Sequence, residues 1–168
     1  RPANLPHRRI ALLARILTSG SSLLSNILTI ENSDQATSLF NRQIDGYWRQ
    51  SYTFNDYVGD STGIPVTLGH TSVQSLIINV VSPIMYAWGQ VRGDYPAMER
   101  AAELLQQSPA EHNRLTTPFE SAGIKINNAL DSQALIQVRR NYCETGKCLY
   151  CRIGHTMLSD AARYIRNR

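Results

Sequence analysis

Ser72-Val-Gln-Ser-Leu-Ile-Ile-Asn-Val-Val-Ser-Pro-Ile-Met-Tyr-Ala-Trp-Gly-Gln90 is the stretch that decides the fold class. Ser72 is a helix-capping residue type, and from 73 to 90 apolar residues fall on nearly every face of a 3.6-residue repeat. A helix apolar almost all round belongs at the centre of a bundle. Gln74, Ser75, Asn79, Ser82 and Pro83 make it too polar, and it is too short, to span a bilayer. Pro83 cannot bond the carbonyl of Asn79, so a kink is expected there. The side chains of Asn79 and Ser82 are at hand to satisfy the freed backbone groups.

Working outward, the spacing predicts helices almost throughout. Over 7–18 the expected buried stripe is Ile10, Leu13, Ala14 and Leu17, with Arg8, Arg9 and Arg15 largely off it. Gly20 and Ser21 break that helix, and 22–30 carries a second short one with Leu23, Leu24, Ile27 and Leu28. Ser33 or Asp34 is the expected cap of a third, reaching about 43. On the other side, Asp94 opens a helix to about 107 with Pro96 in its first turn. Asp131 or Ser132 caps another to about 142. Gly146 breaks that one, and Cys148 begins a final helix to about 165. The segment 108–128, with Pro109, Pro118 and Gly123, reads as a connector.

Between the third helix and the central one lies an irregular aromatic segment, 46–69. It holds Tyr47, Trp48, Tyr52, Phe54 and Tyr57 beside Gly59, Gly63 and Pro65. Aromatics interleaved with Arg49 suit stacking on bases or a ligand; equally, they suit sealing a core. The expected architecture is all-α: one multi-helix domain over 1–168 with this aromatic-rich loop and a cysteine-clustered C-terminal helix pair. The start at Arg1 suggests either a removed N-terminus or, as expected here, the C-terminal part of a longer protein.

The 168 residues are enough for one ordinary core, and 42% hydrophobic with 18% charged excludes a disordered or membrane class. The net charge of +4 is unevenly spread. Residues 1–20 hold four Arg and no acid, and residues 131–168 hold seven Lys/Arg against three acids. If the two ends meet they form one basic face suited to phosphate backbones, with Arg8, Arg9, Arg139, Arg140, Lys147 and Arg152 as contacts to DNA or RNA. The competing reading is a solvated helix surface paired with acids of the middle segment.

The three cysteines, Cys143, Cys148 and Cys151, fall within nine residues, and His155 follows four later. Cys-x4-Cys-x2-Cys is ligand-like spacing, and on a helix beginning at Cys148 the residues Cys148, Cys151 and His155 share one face. Zinc held by Cys143, Cys148, Cys151 and His155 is expected to staple the last two helices; an iron–sulfur cluster is the rival. Buried free thiols and a local disulfide are the alternatives. The odd count and tight clustering argue against a secreted disulfide framework and point to a reducing, cytoplasmic setting. Glu99 and Glu103 share a helix face without a histidine nearby, which fits solvation better than catalysis. No catalytic triad, zinc-protease, phosphate-loop or dinucleotide motif occurs, so no catalytic residue is assigned.

Arg1-Pro-Ala-Asn-Leu-Pro, the central run 75–89, and the ending from Gly123-Ile-Lys through Tyr142-Cys to Lys147-Cys-Leu-Tyr-Cys-Arg-Ile-Gly together resemble the C-terminal half of an uncharacterised bacterial family, the domain of unknown function 2851. The resemblance implies longer relatives whose N-terminal half is similar to a PD-(D/E)xK nuclease core. On that footing the chain is expected to be a non-catalytic accessory domain of a nuclease-like protein, associated with nucleic acid through its basic ends and stabilised by a cysteine-ligated metal. The rival expectation is a protein-interaction or scaffold module that packs on the missing N-terminal half and binds no nucleic acid.

Overall fold

The computed structural model of the chain describes residues 6–18, 20, 22–55, 66–156 and 158–159. Every regular segment among them is helical and none is a strand, so the class is all-α. The chain divides into two compact units, Arg1–Ser108 and Pro109–Arg168.

In the first unit, α1 spans Pro6–Leu17, α2 Leu23–Leu28 and α3 Ser33–Phe40. The α3 cap is Asn32, not Ser33 or Asp34: its side-chain oxygen accepts from the Gln35 amide at 3.0 Å. The helix stops at Phe40, three residues earlier than the spacing suggested. After a single 3-10 turn, Gly46–Arg49, and the stretch outside the described residues, α4 begins at His70. Its cap is Gly69, three residues before Ser72.

The long central rod is one continuous helical path made of α4 (His70–Leu76), a π-turn (Ile77–Val81) and α5 (Ser82–Arg92). The wide turn is how the chain accommodates Pro83. The Ser82 amide reaches back five residues to the Ile77 carbonyl, so the ring of Pro83 sits in the first turn of α5, where its missing N–H matters little. Asn79 donates to the Ser75 carbonyl at 3.0 Å, one turn back along the helix and not at a group that Pro83 frees. Ser82 does something else: its hydroxyl donates 2.8 Å across to the buried Ala101 carbonyl.

Asp94 caps α6 (Tyr95–Gln107), accepting from the Ala97 amide at 3.1 Å. The α5–α6 hairpin is tight because Gly89 lies at its crossing. A Cβ there would sit 2.7 Å from Met98 Cγ and 2.8 Å from the Asp94 carbonyl oxygen. Gly93 turns the corner at φ 69°, a left-handed conformation that glycine adopts without strain. The core of this unit gathers Ile16, Ile27, Phe40, Val73, Ile77, Val81, Met85 and Leu104. Fully burying each large aliphatic of this kind contributes about 1.5–3 kcal/mol. The rod is central, as its sequence implies, but not apolar-buried all round: Tyr86, Trp88 and Val91 are exposed.

The second unit is built on α7 (Thr117–Ser121), a short helix inside the expected connector, and α8 (Ala129–Val138). Asn128 caps α8, accepting from the Asp131 amide at 3.0 Å, so the cap lies upstream of the expected Asp131 or Ser132. Ser132 is fully buried instead; its hydroxyl donates to the Ala129 carbonyl and accepts from the Glu111 amide. A second π-turn, Arg139–Cys143, extends α8, and Gly146 (φ 65°) reverses the chain.

Candidate functional site

Three places carry the residues that the sequence singles out. The first is α1. Its inward line is Arg8, Leu12 and Ile16, all buried. The stripe expected to face the core points outward: Ile10 is 66% exposed, Leu13 52% and Leu17 55%, and Ala14 is exposed as well. Helix α1 is apolar on two lines, and periodicity alone could not say which one is buried. Arg8 decides it. Its guanidinium donates to the Trp48 carbonyl at 2.8 Å and to the Ser51 carbonyl at 3.4 Å, and lies 5.7 Å from the centre of the Tyr52 ring. Burial lowers the guanidinium pKa below its ordinary value, with Tyr52 acting in the opposite sense, and an arginine stays charged throughout. Arg8 is thus 2% exposed and holds the fold together. The expectation that it meets a phosphate at the surface is corrected.

The aromatic segment packs on the start of α1. His7 stacks on Trp48 at 6.1 Å between centroids and meets Phe54 edge-on at 5.5 Å. Trp48 meets Tyr47 and Phe54 edge-on at 5.2 and 5.1 Å. The Tyr47 hydroxyl donates to the Thr53 carbonyl. These rings are engaged with one another and with α1, which favours the sealing reading over base stacking for Tyr47 and Trp48. Tyr57, Gly59, Gly63 and Pro65 lie outside the described residues.

The second place is the cysteine knuckle of the second unit. Cys143 ends the π-turn, Gly146 reverses the chain, and Cys148–Tyr150 forms one 3-10 turn. Cys151 is extended, and its carbonyl accepts the His155 amide at 2.8 Å, so α-helix resumes only beyond it. The expected helical face through Cys148, Cys151 and His155 does not form. What forms is a closed loop: a Cβ on Gly154 would sit 2.6 Å from the Cys148 carbonyl oxygen. All three cysteines are free thiols, Cys143 and Cys148 exposed and Cys151 buried. All three line one cleft of about 330 Å³, whose other walls include Phe119, Ile124, Val138 and Ile153. His155 lines a different cleft, which it shares with Cys151. Among the described residues no three His, Cys, Asp or Glu side chains are placed together to hold a metal ion.

The third place is the basic surface. Arg9 is exposed on α1. In the second unit Arg140, Lys147 and Arg152 are exposed, while Arg139 is half-buried and lies 3.5 Å from Glu144. Arg15 pairs with Asp45 at 3.0 Å. Glu99 and Glu103 are exposed on α6, as a solvated pair should be. No helix among the described residues is long and apolar enough to cross a membrane.

This is an all-α chain with an outward apolar helix face and a thiol-lined turn. It belongs to the family described as protein of unknown function (DUF2851), which matches residues 1–114. The match takes in the whole of α1 to α6 and ends before the cysteines. No curated protein and no solved structure matches the chain.

Proposed function

We propose that the chain is a non-catalytic helical module that docks another polypeptide on the outward face of α1. The observation that carries this reading is the line of Ile10, Leu13 and Leu17, each more than half exposed on a helix whose opposite face is anchored by buried Arg8. Leu24, just beyond α1 in the chain, is 45% exposed as well. Scattered surface leucines need no explanation, but a contiguous stripe at i, i+3 and i+7 has the form of an interaction face. The test is photo-crosslinking in the native host from a benzophenone side chain placed at Leu17, with Glu99 on α6 as control. A discrete protein adduct from Leu17 and none from Glu99 supports the reading. Adducts to nucleic acid alone, or none, remove it.

A second reading is association of the second unit with DNA or RNA, as an accessory to a nuclease-like protein. It is favoured by the exposed Arg140, Lys147 and Arg152 beside Tyr150, which is 83% exposed. Arg8 has no part in it, and Arg139 is a weaker candidate than its neighbour.

The metal reading rests on the three thiols that share one cleft. Cys143, Cys148 and Cys151 would have to draw together around zinc or an iron–sulfur cluster, with His155 outside the set. A reducing, cytoplasmic setting belongs to the same reading, supported by three cysteines that stand as free thiols. Elemental analysis and an absorption spectrum of protein purified without oxygen or chelator test it. One zinc, or iron with a visible band, supports it; no metal removes it.

A further inference from the structure

Cys148 and Cys151 stand at the two ends of one 3-10 turn, which the Cys151 amide closes by donating to the Cys148 carbonyl at 3.3 Å. A turn of this kind brings its first and fourth Cα atoms within about 7 Å. Disulfides span Cα separations of about 4.4–6.8 Å, so the turn holds this pair near bridging range. The residues between them, Leu149 and Tyr150, are 71% and 83% exposed, whereas both cysteines line the same cleft. The tip of the turn thus faces solvent and its two ends border one cavity. Cys143 reaches that cleft from the other side of the Gly146 reversal. A bond from Cys143 to Cys148 would tie two turns together instead of closing one.

The two thiols of the turn also differ in access. Cys148 is exposed and Cys151 is 8% exposed. An exposed thiol meets a soluble oxidant first, and a covered thiol held beside it then displaces the adduct. With Gly154 packed against the Cys148 carbonyl, that second step waits on local opening of the knuckle. Because one sulfur stays at the surface, a reductant can reach the bridge, which is the mark of a reversible bond and not of a structural one.

We infer that Cys148 and Cys151 form a reversible thiol–disulfide pair, Cys148 the entering thiol and Cys151 the resolving one, with a low-molecular-weight disulfide as oxidant. The Cys148 thiolate attacks one sulfur of the oxidant, whose S–S bond breaks and releases the first thiolate. The Cys151 thiolate then attacks the Cys148 sulfur and expels the second. Two electrons pass from the chain to the oxidant, and the two released thiolates take up the two protons that the cysteines gave. This inference is independent of the docking reading. It is exclusive of the metal reading at any one moment, because the bridge removes two of the three thiols that a metal would need.

The experiment uses the full chain with a chelator, equilibrated in a buffer of oxidised and reduced glutathione, quenched in acid, alkylated and digested with trypsin. Cleavage after Arg140, Lys147 and Arg152 puts Cys148 and Cys151 on one fragment, 148–152, and Cys143 on another, 141–147. The expected product is fragment 148–152 lighter by two hydrogens and unalkylated, reverting to the alkylated form when dithiothreitol is added before the quench. Cys151→Ser stops the sequence at a glutathione adduct on Cys148, and Cys143→Ser, at an exposed position, leaves the bridge unchanged. At equilibrium the ratio of bridge to adduct falls about tenfold or more in concentrated guanidinium, where the turn that holds the thiols together is lost. An equal ratio in folded and unfolded chain overturns the inference. So does a bridge that joins fragments 141–147 and 148–152, a glutathione adduct on Cys148 that never closes in the unaltered chain, or a 148–152 fragment that stays fully reduced. Metal analysis of chelator-free protein decides the metal reading separately.

Discussion

The Arg8 guanidinium donates to the carbonyl oxygen of Trp48, forty residues further along the chain, from a position that is 2% exposed. This bond fastens the aromatic segment to the first helix and fixes which of the two apolar lines of α1 is turned inward. Arg8→Met keeps the length of the stem but leaves the Trp48 and Ser51 carbonyls without this donor. The expected loss is about 1.5–3 kcal/mol, the range for a hydrogen bond to a charged group. Arg8→Lys restores the charge but not the fork, so it recovers only part. Urea unfolding followed by tryptophan emission reads both, and an unchanged midpoint for Arg8→Met would show that the anchor is dispensable.

Gly89→Ala sets two effects against each other. Alanine favours helix by about 1 kcal/mol over glycine. The new Cβ, however, would lie 2.8 Å from the Asp94 carbonyl oxygen and 2.7 Å from Met98 Cγ. Met98 can swing aside; the backbone oxygen cannot. Overpacking at about 1–3 kcal/mol therefore wins, and the variant melts at a lower temperature. A raised melting temperature would mean that the α5–α6 hairpin opens more readily than its geometry implies.

The three thiols differ in exposure, and their chemistry should follow. With Ellman's reagent on native, metal-free protein, Cys143 and Cys148 react promptly. Cys151, 8% exposed, waits for local opening and reacts on the order of tenfold or more slowly. Gly154→Ala forces the loop away from the Cys148 carbonyl and brings the third thiol nearer to the rate of the other two. Three equal rates in the unaltered chain would contradict the closed knuckle.

Nucleic-acid binding by the second unit, where it occurs, carries a salt signature. Contacts from Arg140, Lys147 and Arg152 to three phosphates give a slope of about −2 to −3 in log affinity against log salt. Lys147→Glu with Arg152→Glu lowers both the affinity and the slope, whereas Arg8→Met leaves both unchanged in protein that remains folded. A slope near zero would remove the second reading.

The helices were legible in the sequence because their signals are local: the apolar spacing of 73–90, the Asp94 cap with Pro96, the Gly146 break. The caps of α3 and α8 were missed by one to four residues, because each region offers several capping residue types and only the backbone selects Asn32 and Asn128. The facing of α1 was illegible for a different reason. Ile10, Leu13 and Leu17 are as apolar as Leu12 and Ile16, and the deciding partner is a backbone carbonyl forty residues away. The cysteine cluster was legible as a cluster but not as a helical face. The 3-10 turn and the extended Cys151 depend on the tight approach of Gly154 to Cys148, a non-local contact that spacing does not encode.

The π-turn at Ile77–Val81 has a consequence for how the central rod is shared among its neighbours. One extra residue in a turn rotates everything after it by about 100° relative to an unbroken helix. The face that α4 offers to α3 is therefore out of phase with the face that α5 offers to α6. Proline at 83 keeps that offset from annealing away. Deleting a single residue between 77 and 81 would leave the composition of the rod almost intact yet carry Met85 and Gly89 off the α6 side, a lesion of angle that no point substitution reproduces.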